Sequence, residues 1–205
     1  YTQLKSDTLS KIPFAQMKNL ETLSLIDVNL QMNFSSSSTF LKTNQLLYYL
    51  DLSGNKLAYL VNDSTVQGFF KQNNAKLAWL QLVNTSLTDK DLDAYFNLSG
   101  FTSLNYLNLS QNRIVTVRRN HFDTILYLNK IDLSSNRIEW IEAGSFEHCK
   151  QLFHLYLSNN LLEYLNISVF GGENKWAMLD KLAIENNLLK LLDVLAYMPS
   201  MNFLS

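Results

Sequence analysis

The sequence predicts an α/β solenoid, with short parallel strands stacked on one side and irregular or short helical segments on the other. Three observations predict it. One apolar spacing recurs: Leu104, Leu107, Leu109, Asn112 and Ile114; then Leu128, Ile131, Leu133, Asn136 and Ile138; then Leu152, Leu155, Leu157, Asn160 and Leu162, with starts 24 residues apart. A fixed period of this size marks a repeat array. A phenylalanine follows in each unit, at Phe122, Phe146 and Phe170. Looser copies start at Leu20, Leu47, Leu77, Leu179 and Met201, so the pattern runs through residues 1–205 as one array of about eight coils.

Within each unit the alternation around the second and third leucines fits a short strand with one buried face. Leu107 and Leu109 are expected inside, Tyr106 and Asn108 outside. A single coil cannot bury its leucines alone, and stacking neighbours makes a shared core. Asn112, Asn136 and Asn160 stand where the chain leaves the strand. A buried amide there can bond backbone groups that the turn would leave unpaired. Phe122, Phe146 and Phe170 are expected to fill the back of the coil.

Composition bounds the function. A net charge of −1 gives no bulk attraction to nucleic acid or an anionic membrane, so nucleic acid is a disfavoured partner. No run reaches the roughly 18 apolar residues of a membrane span, and Tyr1 to Lys11 is too mixed and polar for a leader. The single cysteine, Cys149, has no internal partner and reads as a small buried group beside Phe146. Six N-x-S/T sequons, at Asn33, Asn62, Asn84, Asn97, Asn108 and Asn166, favour a glycoprotein of the cell surface or the extracellular space.

Taken in order, Leu4 reads as the last strand leucine of a coil, Leu9, Ile12 and Pro13 as its descending half, and Met201 to Leu204 as the start of another strand. Both ends look cut inside a repeat, since terminal coils normally carry polar caps. The gaps between starts are 27, 30, 27, 24, 24, 27 and 22 residues. The longer ones mark insertions: the serine run Ser35 to Ser38, the stretch Val61 to Lys76 with Phe69 and Phe70, and Leu87 to Phe101. In the last, Asp89, Asp91 and Asp93 alternate, but the Gly and Glu of a calcium loop are missing. Thr88 followed by Asp91 reads better as a capped helix start. Gly171 and Gly172 read as a turn after Phe170. Val28 and Thr85 stand at the Asn position of their coils, and at Val28 the backbone is expected to rearrange or to bond Asp27 or Asn29.

The exposed face of the sheet carries the candidate site. One outward column reads Thr22, Tyr49, Trp79, Tyr106, Lys130, His154, Lys181; the next reads Ser24, Asp51, Gln81, Asn108, Asp132, Tyr156, Ala183. Tyr49, Trp79, Tyr106, Lys130, Asp132, His154 and Tyr156 are the candidate binding residues. Tyr and Trp are favoured interface anchors, although aromatic neighbours also steady a sheet. A glycan on Asn108 would crowd this face and push ligands to a flank. Arg113, Arg137, Arg118, Arg119 and His121 form a basic flank that Glu139 and Glu142 are placed to neutralise. The remaining histidine, His148, stands apart from these. No phosphate loop, paired-His metal motif or nucleophile elbow is found, so no cofactor, no metal and no enzymatic activity are expected.

The runs LNYLNLSQNRIVTVRRNHF and LNKIDLSSNRIEWIEAGSF resemble the typical class of leucine-rich repeats. That resemblance implies a horseshoe with a parallel concave sheet, a binding role, and an extracellular setting. With its irregular repeat lengths and inserted loops, the chain looks most like the ectodomain of a Toll-like receptor. Such a receptor implies innate immunity: recognition of a protein or microbial ligand, homo- or heterodimerisation through the solenoid flank, and signal transduction across a membrane by a segment outside this chain. A cell-adhesion or axon-guidance receptor and a secreted immune scaffold protein, built on the same repeats, remain open.

Overall fold

A computed structural model describes residues 16–28, 44–57, 76–95, 101–172 and 178–190. Each coil contributes a three-residue strand: β1 (Thr22–Ser24), β2 (Tyr49–Asp51), β3 (Trp79–Gln81), β4 (Tyr106–Asn108), β6 (Lys130–Asp132), β8 (His154–Tyr156) and β9 (Lys181–Ala183). They form one parallel seven-stranded sheet in the order β1-β2-β3-β4-β6-β8-β9. The middle residues Leu23, Leu50, Leu80, Leu107, Ile131, Leu155 and Leu182 pair in register. All but Leu23 of these are buried, with the next leucines Leu52, Leu82, Leu109, Leu133 and Leu157 behind them. Alternation of side chains along a strand puts the flanking residues on the concave surface. The expected register is therefore the observed one.

The asparagines hold the coils together. Asn136 Nδ2 donates to Leu133 O within its own coil and to Leu109 O in the preceding coil, both at 3.0 Å, and its Oδ1 accepts from Ile114 N at 3.1 Å. Asn160 does the same with Leu157 O, Leu133 O and Ile138 N, and Asn187 with Ile184 O, Leu157 O and Leu162 N. One amide thus satisfies buried groups in two coils, which apolar residues cannot do. The residue before it is left-handed in every described coil: Asp27, Gly54, Asn84, Gln111, Ser135, Asn159 and Asn186, with φ between 52° and 75°. That conformation costs a non-glycine residue roughly 1–2 kcal/mol. It also turns the amide N–H toward the next coil, where Gln111 N meets Ser134 O and Ser135 N meets Ser158 O.

Val28 does not disturb this arrangement, contrary to the expected rearrangement. Asp27 keeps the left-handed turn, and its amide donates to Ser53 O as in the other coils. The carbonyl that Val28 cannot reach, Leu25 O, accepts from Asn55 of the following coil at 2.6 Å. Asn29 lies outside the described residues. Thr85 compensates differently. Its hydroxyl donates within its own coil to Leu82 O at 2.9 Å, while its backbone carbonyl accepts the Leu57 amide that an Asn side chain would otherwise take.

The far side mixes short elements. Helix α1 (Asp89–Tyr95) starts as expected, with the Asp91 carboxylate accepting the Thr88 amide at 2.7 Å. The three aspartates serve separate partners: Asp89 takes the Val115 and Thr116 amides, Asp91 takes Thr88, and Asp93 takes Arg118 and His121. They do not converge, and no metal-ligating group occurs among the described residues. A second parallel sheet pairs β5 (Thr116–Val117) with β7 (Trp140–Ile141), which the repeat pattern did not anticipate. Turns of 3-10 helix follow at Arg119–His121 and Ile167–Phe170, the second closed by left-handed Gly171. Phe122, Phe146 and Phe170 are buried and stack as a spine, with centroids 5.8 and 6.0 Å apart. Cys149 is buried against it, and burial pushes its thiol up to about 12. A thiolate is disfavoured there, which fits a packing role. Ser35 to Ser38, residues 61–75, Phe69, Phe70 and Met201 lie outside the described residues.

Removing one rung of the asparagine ladder should be costly. Asn136→Ala orphans the Ile114 amide and deletes two further buried bonds, for a loss of roughly 3 kcal/mol. Arg137→Ala, at the exposed neighbour, should change stability by no more than about 0.5 kcal/mol. Urea unfolding of the two variants measures the contrast.

Candidate functional site

The two outward columns of the sheet make one continuous surface. Thr22, Tyr49, Trp79, Tyr106, Lys130, His154 and Lys181 are register neighbours across all seven strands, as are Ser24, Asp51, Gln81, Asn108, Asp132, Tyr156 and Ala183. Three consecutive rings face the concave side. Tyr49 and Trp79 have centroids 6.4 Å apart at 32°, and Trp79 and Tyr106 4.7 Å apart at 52°. These tilted contacts stabilise the sheet, yet Trp79 is still 45% exposed. The rings therefore support one another and also offer apolar surface, so neither role displaces the other.

The neighbouring column fixes these rings by polar contacts. Gln81 Nε2 donates to the Tyr49 hydroxyl at 2.8 Å. Asn108 Nδ2 donates to the Tyr106 hydroxyl at 3.1 Å, which leaves the phenol hydrogen available to a ligand. Burial, then the Asp132 carboxylate, hold the Tyr106 phenol above its ordinary value, so it stays a donor at neutral pH. Asp51, Asn108 and Asp132 each accept the amide two residues on, at Ser53, Ser110 and Ser134, which ends the strand.

The far end of the column is cationic. Lys130 Nζ lies 5.0 Å from the Tyr106 centroid and 4.9 Å from that of Tyr156, and Lys181 Nζ lies 4.9 Å from the same Tyr156 ring. His154 is half-buried between the lysines in register, its ring tilted at 55° to that of Phe153 with centroids 4.9 Å apart. Asp180 Oδ2 is 3.9 Å from its Nε2.

A curved parallel sheet, an asparagine ladder, and a phenylalanine spine behind it define the architecture. The fold is a leucine-rich repeat solenoid. A leucine-rich repeat family model matches residues 102–162 and 126–189. Among solved structures, an internalin (inlF) from Listeria monocytogenes superposes with a TM-score of 0.67 at 22% identity, over 93% of this chain and 49% of that one. An internalin C2 (inlC2) from the same species gives 0.67 at 20% identity, over 93% of this chain and 74% of that one. This chain thus spans about half the length of the first internalin. No curated protein sequence matches it.

On the flank of the leucine-rich repeat, the basic cluster is divided and neutralised. Arg118 pairs with Asp93 at 2.6 Å and Arg119 with Glu147 at 2.9 Å. These carboxylates replace the expected Glu139 and Glu142; Glu142 instead accepts the Arg119 backbone amide. Arg113 and Arg137 stay exposed. His121 is fully buried, not part of a surface patch. Its Nδ1 accepts the Arg118 amide and its Nε2 faces Asp93, both at 3.1 Å, so the Nε2–H tautomer satisfies both partners.

Three sequons are described. Asn84 and Asn166 are exposed. Asn166 uses only its Oδ1, to cap the 3-10 turn at Ser168 N. Asn108 is half-buried, and its Nδ2 is the atom bonded to Tyr106, so a sugar there would cover the rings. Asn33, Asn62 and Asn97 lie outside the described residues. A set of exposed apolar groups lies outside the expected columns: Trp140 and Tyr164 on the descending flank, and Leu126, Tyr127, Phe153 and Met178 on the ascending edge. Trp140 and Tyr164 share a repeat position, 24 residues apart, so the same period could have found them.

Burial pushes the His121 pKa down, and Asp93 only partly opposes it. The unfolded chain then binds a proton that the folded chain resists. Stability is full above the ordinary value of about 6.5 and falls as pH drops through the lower folded value. His121→Gln, which keeps an acceptor and a donor, should flatten the acid-side decline of the melting temperature below about pH 6.5.

Proposed function

We propose that this solenoid is the recognition module of an extracellular receptor of the Toll-like kind, binding a protein or microbial ligand on its concave face. Leucine-rich repeats serve as protein-interaction modules. The observation that carries the concave-face reading is the unbroken column from Tyr49 to Lys181, with an exposed indole in it. Exposed Trp and Tyr held in fixed positions lose little entropy on binding and form strong anchors. The sequons at Asn84 and Asn166, both on accessible turns, support a secretory route. The receptor reading assigns membrane attachment to a segment outside this chain; no helix among the described residues is long and apolar enough to cross a membrane. No group among the residues described suggests catalysis, and we propose a binding protein and not an enzyme.

Panning a displayed peptide library on the chain tests the surface. Selected binders should lose at least ten-fold in affinity for Trp79→Ala and Tyr106→Ala and keep it for Trp140→Ala and Tyr164→Ala. Binders that follow the opposite pattern would move recognition to the flank. The compartment is tested by expression in animal cells through a secretory leader. N-glycan removal should lower the mass, with part of the shift abolished by Asn84→Gln and Asn166→Gln; an unchanged mass would argue for a cytosolic chain.

A further inference from the structure

We infer that the Lys130–Tyr156–Lys181 end of the concave face is a subsite for a single carboxylate, the side chain of an acidic residue on the protein partner. The inference rests on the concave-face reading and adds the chemistry at one end of it. Both ammonium groups lie over the same Tyr156 ring at 4.9 Å. Neither has a carboxylate within 4 Å or a hydrogen-bond acceptor among the described residues. The ring fixes where the charges sit, by the attraction of its electron-rich face for a cation. It consumes none of the three N–H donors each ammonium carries. Two placed, undischarged cations on either side of one strand form an acceptor for a bridging anion.

The surrounding charges set how much anion fits. Asp132 on β6 is engaged by the Ser134 amide and hydroxyl at 2.9 and 2.6 Å. Asp180, before β9, leans toward His154, and Glu185 bonds the Ser158 hydroxyl. With these carboxylates nearby, the subsite tolerates one added negative charge and opposes a polyanion. His154 sits between the lysines; burial, then Lys130, and also Lys181, lower its pKa, while Asp180 raises it. A carboxylate held between the lysines would relieve that repulsion, so His154 reports occupancy.

The geometry also gives a spacing. From Trp79 on β3 to His154 on β8 is three strand steps, about 14 Å at the usual inter-strand distance. Four residues of extended chain cover that distance at about 3.3–3.6 Å each. The partner segment should lie along the column with an aromatic residue over Trp79 and an acid four residues away.

The probe is a blocked peptide with Phe followed four positions later by Glu, compared with its Gln twin, on the full chain by NMR. The Glu peptide should raise the His154 pKa by about 0.3 or more and bind at least five-fold tighter than the Gln twin. Lys181→Gln and Lys130→Gln should remove that preference without weakening the Gln twin, and Lys181→Arg should restore it. Equal binding of the two peptides, a His154 that does not move, or binding of neither overturns the carboxylate subsite. If both peptides bind equally and are lost with Trp79→Ala, the concave-face reading stands while the subsite falls. A larger His154 shift from inorganic phosphate or an oligonucleotide at equal ionic strength also overturns it, in favour of a phosphate site.

Discussion

The fold depends on a buried side-chain amide that bonds two coils at once. Hydrophobic burial between coils is strong but directionless, and leucines alone would let neighbouring coils slide. The carboxamides of Asn136, Asn160 and Asn187 remove that freedom, because each reaches a carbonyl in its own coil and another in the coil before. Stability then passes from neighbour to neighbour, as in a one-dimensional array. The left-handed residue before each asparagine is the local cost, offset by the amide bond it directs to the next coil.

Fixing the coils from inside leaves the outside free. The inner leucines, the ladder and the phenylalanine spine specify the shape, so outward strand positions carry no folding duty beyond lateral contact. The surface can therefore run from three aromatic rings at Tyr49, Trp79 and Tyr106 to cations at Lys130 and Lys181 without disturbing the core. Asp51, Asn108 and Asp132 are exceptions, since each also terminates its strand.

The repeat period made the fold readable: strand positions, both outward columns and the far-side phenylalanines follow from counting residues. What counting could not reach was compensation between coils. Val28 looked like a break because its side chain lacks an amide, yet Asn55 reaches back to the Leu25 carbonyl. The basic flank misled for a similar reason. Asp93 and Glu147 are 25 and 28 residues from the arginines they pair with, about one coil away, while Glu142, 23 residues from Arg119, meets its backbone amide and not its guanidinium. The exposed Trp140 and Tyr164 lie off the strand face, at a repeat position that the leucine spacing does not mark. At the candidate site the residues and their order were legible, but the stacking of both lysines on Tyr156 depends on side-chain conformation.

Thr85 has a wider consequence. Its hydroxyl is too short to cross to the preceding coil, so the seam between β2 and β3 lacks the side-chain tie that Asn112 provides across the seam between β3 and β4. That seam rests instead on its backbone bonds and on two side chains of the outer surface, Gln81 reaching the Tyr49 hydroxyl and Ser53 accepting the Val83 amide. The aromatic column spans the same joint from Tyr49 to Trp79, and a ligand lying across both rings would act as an external splint for it.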